Sequence, residues 1–273
     1  MVSVIKANGG REQFSEKKVM RSIGNARISR SLAPHVLQHV KEKLYENIPT
    51  SEIYRHIIEF LGSSEQPYAQ AKYGLKRAIM DLGPTGYPFE DFVAKVLDAH
   101  GYHTKVRQIV TGSCISHEID IIAAKNGKTA MIEAKFHNNP GTRSDVHVAL
   151  YTKSRFEDVK EKNMFDEAWV VTNTKVTGDA IDYAKCDGMK VIGWSYPDGG
   201  GLRDLIEKYH LHPVTMITTL PQALKQKLLD NHIVLCKDIC INRALIDLLP
   251  ISPEEKKKTL DEVAFICEEE KSM

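Results

Sequence analysis

The segment from His117 to Phe136, HEIDIIAAKNGKTAMIEAKF, gathers the side chains of this chain that are best suited to chemistry. Two runs of β-branched and apolar residues flank Asn126-Gly127, the dipeptide that most readily supplies the positive φ angles of a two-residue hairpin turn. With Lys125 and Lys128 on either side of that turn, an antiparallel register sets Asp120 directly opposite Glu133. Strand period puts Lys135 on the face of Glu133 and turns Ile132 and Ala134 to the other. Two carboxylates and an ammonium thus meet at one place. Facing like charges destabilise a sheet, and Lys135 offsets only part of the repulsion, so a divalent cation with oxygen ligands is the expected complement. Charges on a strand are more often a solvated face, but these interrupt runs whose other face is strongly apolar.

Asp120, twelve intervening residues and then Glu133-Ala134-Lys135 resemble the D…(D/E)xK signature of the PD-(D/E)xK nucleases. PFEDFVAKVLDAHGY, from Pro88 to Tyr102, is similar to the FExxVAxLLxxxGY helix that precedes the hairpin in their Mrr-like restriction endonuclease branch. The resemblance implies an endodeoxyribonuclease that hydrolyses phosphodiester bonds with Mg2+ or Mn2+, with DNA as its partner. It assigns the metal to Asp120, Glu133 and the Ala134 carbonyl, and the attacking water to Lys135. Glu90 would be a third acidic contributor reaching from the helix. A first-turn glutamate is also what a helix dipole favours, and the sequence leaves both readings of Glu90 open. Tyr151, Lys153 and Arg155 follow on a helix where relatives keep a polar residue near the metal; the usual glutamine is not evident, and a solvated helix face explains them equally. His137, Asn138, Asn139 and Gly141 form a polar loop beside Lys135, suited either to a backbone phosphate or to simple exposure.

The elements that must hold this hairpin read as a mixed α/β sheet with covered faces. Gly83-Pro84 and Gly86-Tyr87-Pro88 stop a helix and mark a linker. Phe92, Val93, Val96 and Leu97 then form a helical stripe that Gly101 ends. Beyond it, residues 104–110 read as strand, 144–162 as helix, 167–172 as a continuous apolar strand, 177–187 as helix and 190–194 as strand. That order, α-β-β-β-α-β-α-β, matches the nuclease core and bounds a central domain at residues 84–212.

Residues 1–83 read as a small α+β domain, an opening hairpin turned at Asn8-Gly9-Gly10 followed by helices over 34–45, 51–61 and 67–82, with Ser15 capping an earlier one. VIKANG, FSEKKV, PTSEIYRHII and YGLKR resemble the ATP-cone, a regulatory nucleotide-binding domain. The resemblance implies ATP or dATP, with Lys6 and Lys18 at the phosphates, Glu12 and Ser15 lining the site, and Thr50 and Tyr54 near the adenine. Ala7 stands where a second basic residue is common, which implies weaker phosphate affinity or a different nucleotide. Surface lysines are ordinarily solubilising. No GxxxxGK[ST] loop is present, so a P-loop hydrolase is not supported.

Pro213 and Pro221 bracket a boundary, and residues 213–273, with helical spacing from Leu224 through Leu260 to Ile266, are expected as a helical accessory or oligomerisation segment. They loosely resemble helix-hairpin-helix modules, although the hairpin glycine is missing. Five scattered cysteines without CxxC pairs argue against a disulfide framework or a zinc ribbon; Cys236 and Cys240, four apart, read as buried small hydrophobes. A net charge of +1 gives no global pull toward nucleic acid, so DNA contact must come from a local patch. No apolar run is long enough to span a membrane and no signal peptide is evident, so a cytoplasmic protein is expected. Two-strand cleavage would suit a homo-oligomer, but nothing in the sequence counts subunits. The rival expectation is a catalytically silent, nucleotide-regulated binding or assembly module on a nuclease fold.

Overall fold

A computed structural model describes residues 2–7, 9–26, 28–64 and 68–267; Asn8 of the expected turn and Pro67, the expected start of a helix, lie outside them. The chain forms two compact units, Met1–Ala78 with Val214–Gln226 and Cys236–Met273, and Ile79–Pro213 with Lys227–Leu235. The segment read from sequence as one C-terminal piece is therefore shared between them.

The first unit starts with a three-stranded sheet. β1 (Ser3–Ile5) pairs antiparallel with β2 (Arg11–Gln13) and parallel with β3 (Ile48–Pro49), a strand too short to show periodicity in the sequence. α1 (Glu16–Asn25) starts at Ser15, whose Oγ accepts the Lys18 backbone N–H at 3.3 Å. α2 (Ala33–Glu42) and α3 (Thr50–Gly62) follow, and Val4, Ile23, Val40, Ile48, Ile57 and Leu61 pack one core between sheet and helices. The helix expected over 67–82 is two, α4 (Ala69–Tyr73) and α5 (Leu75–Met80), parted at Gly74, a residue that weakens a helix interior.

In the second unit α6 (Tyr87–Ala99) leads into β4 (His103–Thr111), β5 (Ser116–Lys125) and β6 (Lys128–Lys135). The short β7 (Arg143–Ser144) precedes α7 (Val146–Asn163). Then come β8 (Glu167–Thr172), β9 (Lys175–Val176), α8 (Gly178–Cys186), β10 (Lys190–Ile192) and α9 (Leu202–Lys208). The main sheet has the order β10-β8-β6-β5-β4, antiparallel from β4 to β6 and parallel from β6 to β10. β7 and β9 form a separate parallel pair. The hairpin turn is the one the sequence dictates, with φ of 52° at Asn126 and 76° at Gly127. β6 and β8 are buried through their centres, as the apolar runs require.

The C-terminal residues contribute α10 (Gln222–Asp230), α11 (Cys236–Ile241) and α12 (Pro253–Cys267). Ser252 and Glu255 cap α12 reciprocally: Ser252 N–H donates to Glu255 Oε2 at 2.8 Å, and Glu255 N–H to Ser252 Oγ at 3.3 Å. Glu262, fully buried on α12, accepts the Thr218 and Thr219 N–H groups at 2.7 and 2.8 Å and the Thr218 hydroxyl at 2.7 Å. One cysteine reading is corrected. Cys240 is disulfide-bonded to Cys267 across 27 residues, joining α11 to α12, a pairing set by helix packing and not by local spacing. Among the described residues no helix is long and apolar enough to cross a membrane.

Candidate active site

β5 and β6 pair from Lys125 with Lys128 to Ile121 with Ile132, and the ladder stops one step short of Asp120 and Glu133. Hydrogen-bonded pairs alternate along an antiparallel ladder, and counting from the turn, the next would engage the Ala134 N–H. Asp120 takes that donor instead: Ala134 N–H donates to Asp120 Oδ2 at 2.8 Å. The strands therefore part at the two carboxylates, while β6 is held in place by β8, with Glu133 beside Val170 and Lys135 beside Thr172.

β4 lapses at the same level. Its pairing with β5 runs on both sides of Arg107 and Asp120 but omits them. Arg107 has a φ of 51°, a left-handed conformation that costs a non-glycine residue about 1 kcal/mol. Its guanidinium lies on the start of α6, where Nη1 donates to Glu90 Oε2 at 3.2 Å and Nη2 to Asp91 Oδ1 at 2.7 Å. Asp91 Oδ2 also bonds His232 Nδ1 at 2.8 Å. By register, Arg107, Asp120 and Glu133 form a row across three strands.

From α7, Arg155 completes the site. Its Nη1 donates to Glu133 Oε2 at 2.6 Å, its Nη2 to the Glu118 carbonyl, and its Nε is buried without a partner among the described residues. Burial raises the Asp120 carboxyl above the usual carboxylate range, although the Ala134 N–H and Arg155 pull the other way. Burial, then the charge of Asp120, raises Glu133. Glu90 is pushed up to about 7 by burial and by Asp120, against the pull of Arg107. Four carboxylates, at Glu90, Asp91, Asp120 and Glu133, thus face three fixed cations, at Arg107, Lys135 and Arg155. Among the described residues no three His, Cys, Asp or Glu side chains form a metal-holding group by themselves. The donor set of Asp120, Glu133 and the Ala134 carbonyl nonetheless suits a hard cation such as Mg2+, which takes oxygen ligands and keeps several waters.

The other residues singled out in the sequence fall as follows. Lys153 is turned away, paired with Glu157 at 2.8 Å and Asp187 at 2.6 Å. Tyr151 is exposed, its ring centre 5.3 Å from the Arg155 guanidinium carbon. The loop after Lys135 is built in. His137 bonds Ser144 Oγ at 2.8 Å, and buried Asn173 accepts its N–H and donates to its carbonyl, both at 2.9 Å. Asn138 donates to the Pro84 carbonyl at 3.1 Å, and Asn139 accepts the Gly141 N–H at 2.8 Å.

In the other unit, Glu12, Ser15, Lys18, Thr50 and Tyr54 line one cavity of about 310 Å3, walled on its apolar side by Val4, Ile53 and Ile57. Glu12 accepts Lys6 at 2.6 Å and Lys18 at 2.8 Å, which brings both ammonium groups to it and holds its carboxyl below the usual range. Tyr54 stacks on Tyr73 with ring centres 5.5 Å apart.

An uncharacterised protein from Archaeoglobus fulgidus is 41% identical over 147 residues, 54% of this chain and 83% of that protein. A crystal structure of AF1548, a protein of unknown function, covers 67% of this chain and 98% of its own at 34% identity and a TM-score of 0.59. This chain belongs to the AF1548-like family. The C-terminal domain of AF1548-like proteins matches residues 212–267, and the restriction endonuclease family matches residues 84–199. The second match spans α6 and the whole main sheet, so the site of this AF1548-like protein lies on a restriction-endonuclease-type domain. Reading the sequence missed Arg107, Asn173 and His232, and it named Arg155 on its helix without giving it a role at the site. Arg155 stands four residues after Tyr151, and that helical spacing was the available signal. His232 comes from 141 residues beyond Asp91, with nothing local to announce it.

Proposed function

We propose that this chain is a metal-dependent DNA endonuclease that hydrolyses phosphodiester bonds. The observation that carries this reading is the opening of the β5–β6 ladder at Asp120 and Glu133, with Lys135 on the same face of β6. A bound Mg2+ or Mn2+ would lower the pKa of a water and offset charge gathering on the scissile phosphate. Asp120 and Glu133, with the Ala134 carbonyl, would hold that ion. Lys135 orients the attacking water and stabilises the negative charge that develops on the phosphate oxygens. Glu90, pushed up to about 7 by burial and by the charge of Asp120, is poised to hold or release a proton beside it near neutral pH.

The N-terminal cavity we read as the regulatory site, taking ATP or dATP as in the ATP-cone that its sequence resembles. The grouping of Glu12, Ser15, Lys18, Thr50 and Tyr54 around one space supports this, as does the tether of Lys6 and Lys18 to Glu12. A triphosphate would take over both lysines from Glu12. The rival reading, a silent binding module, draws on the Arg155–Glu133 pair, which occupies one metal position.

Supercoiled plasmid incubated with the full chain and Mg2+ or Mn2+, with and without ATP and dATP, tests both parts. Nicking that needs the metal and changes rate with nucleotide supports the gated nuclease. Nucleotide binding with no cleavage of supercoiled, methylated or branched DNA would leave the silent module standing.

A further inference from the structure

Arg155 sits in a compromised seat. The side chain is 11% exposed, and a charge-assisted bond of 2.6 Å ties it to Glu133. Its Nη2 reaches the Glu118 carbonyl, but Nε is buried with no acceptor, an arrangement that carries a desolvation penalty. The arginine is therefore held by the charge of Glu133 in a position that does not satisfy it. Glu133 is also one of the two carboxylates suited to a divalent ion. Two cations bonded to one carboxylate repel each other, so the guanidinium and the ion compete for it.

We infer that Arg155 is a resident counter-cation of the metal site, displaced from Glu133 when a divalent ion binds and then free to hold the DNA phosphate. The inference rests on the metal-dependent reading above. In the metal-free protein Arg155 offsets the charges of Glu133, to which it bonds, and of Asp120 beside it. When displaced, its planar fork of donors matches a phosphate and stays charged at every working pH. The exposed Tyr151 ring, 5.3 Å away, offers a face against which the released guanidinium remains at the rim.

The test is Mn2+ binding by the full chain without DNA, followed through the spin resonance signal of free Mn2+, for wild type, Arg155→Met and Arg155→Lys. Circular dichroism checks the fold, and single-turnover DNA cleavage is measured alongside. Arg155→Met should bind Mn2+ about tenfold tighter and cleave at least about 100-fold more slowly. Arg155→Lys should fall between wild type and Arg155→Met in both. An arginine that merely supports the fold would instead weaken Mn2+ binding along with cleavage, and that result, or an unchanged affinity, overturns the inference. If Arg155→Met does not fold, Arg155→Lys decides: tighter Mn2+ supports the inference, equal or weaker Mn2+ overturns it. Wild type that binds Mn2+ and cleaves, beside variants that bind no tighter, removes this inference alone. Folded wild type that binds no Mn2+ removes the metal-dependent reading and this inference with it.

Discussion

At the scale of single residues, Glu90 has the most measurable chemistry. Its folded value of about 7 lies above the ordinary 4.5, so the folded protein holds a proton that the unfolded chain has lost. The stability this contributes is complete below about pH 4.5 and is lost as pH rises through about 7. In the presence of chelator, Glu90→Gln should match wild type at low pH and exceed its stability at pH 8 by on the order of 2 kcal/mol. Thermal unfolding at several pH values measures this; parallel curves would contradict the burial argument. The β5–β6 register that brings Asp120 and Glu133 to the open end of the ladder could be read from Asn126-Gly127 alone, because a two-residue turn fixes the partners behind it. The roles of Arg107 and Arg155 could not. One depends on a positive φ within a strand, which leaves no local pattern, and the other on which turn of α7 faces the sheet, of which the spacing from Tyr151 is the only trace.

At the scale of elements, the hairpin and the C-terminal helices make separate claims. Gly127 has a φ of 76° and open space where a Cβ would stand, so Gly127→Ala tests backbone conformation alone. It should cost about 1 kcal/mol in urea unfolding without moving the register; a loss of metal-dependent cleavage in the folded variant would mean the turn does more than set pairing. Glu262 had no signature in the sequence, where it looked like one more charge on a helix. Its partners lie 43 and 44 residues away at Thr219 and Thr218. Glu262→Ala deprives two backbone N–H donors of their acceptor and should cost about 2 kcal/mol, read by the same titration. The disulfide between Cys240 and Cys267 was equally hidden, since α11 and α12 meet only after folding.

At the scale of the whole molecule, the chain carries two candidate sites in two compact units, and their ligands should be separable. ATP or dATP at about a hundred times its dissociation constant should stabilise the protein by about 2.7 kcal/mol. Lys18→Ala should weaken that binding by about tenfold, while Asp120→Asn should leave it unchanged; calorimetry on the full chain would show both. The order of elements in the second unit was legible because its later strands alternate with helices and β8 is a continuous apolar run; the place of each strand in the sheet was not. The sharing of the C-terminal residues between units was not, because prolines mark where a chain turns and not what it packs against.

The most direct test of the central claim is single-turnover cleavage of plasmid DNA by wild type and Lys135→Ala, each pre-bound to DNA and started with Mn2+. The site described here predicts cleavage by wild type and, with DNA binding retained, a rate at least about 100-fold lower for Lys135→Ala. Equal rates would place the chemistry elsewhere, and a wild type that binds DNA and Mn2+ without cutting would contradict the endonuclease assignment itself.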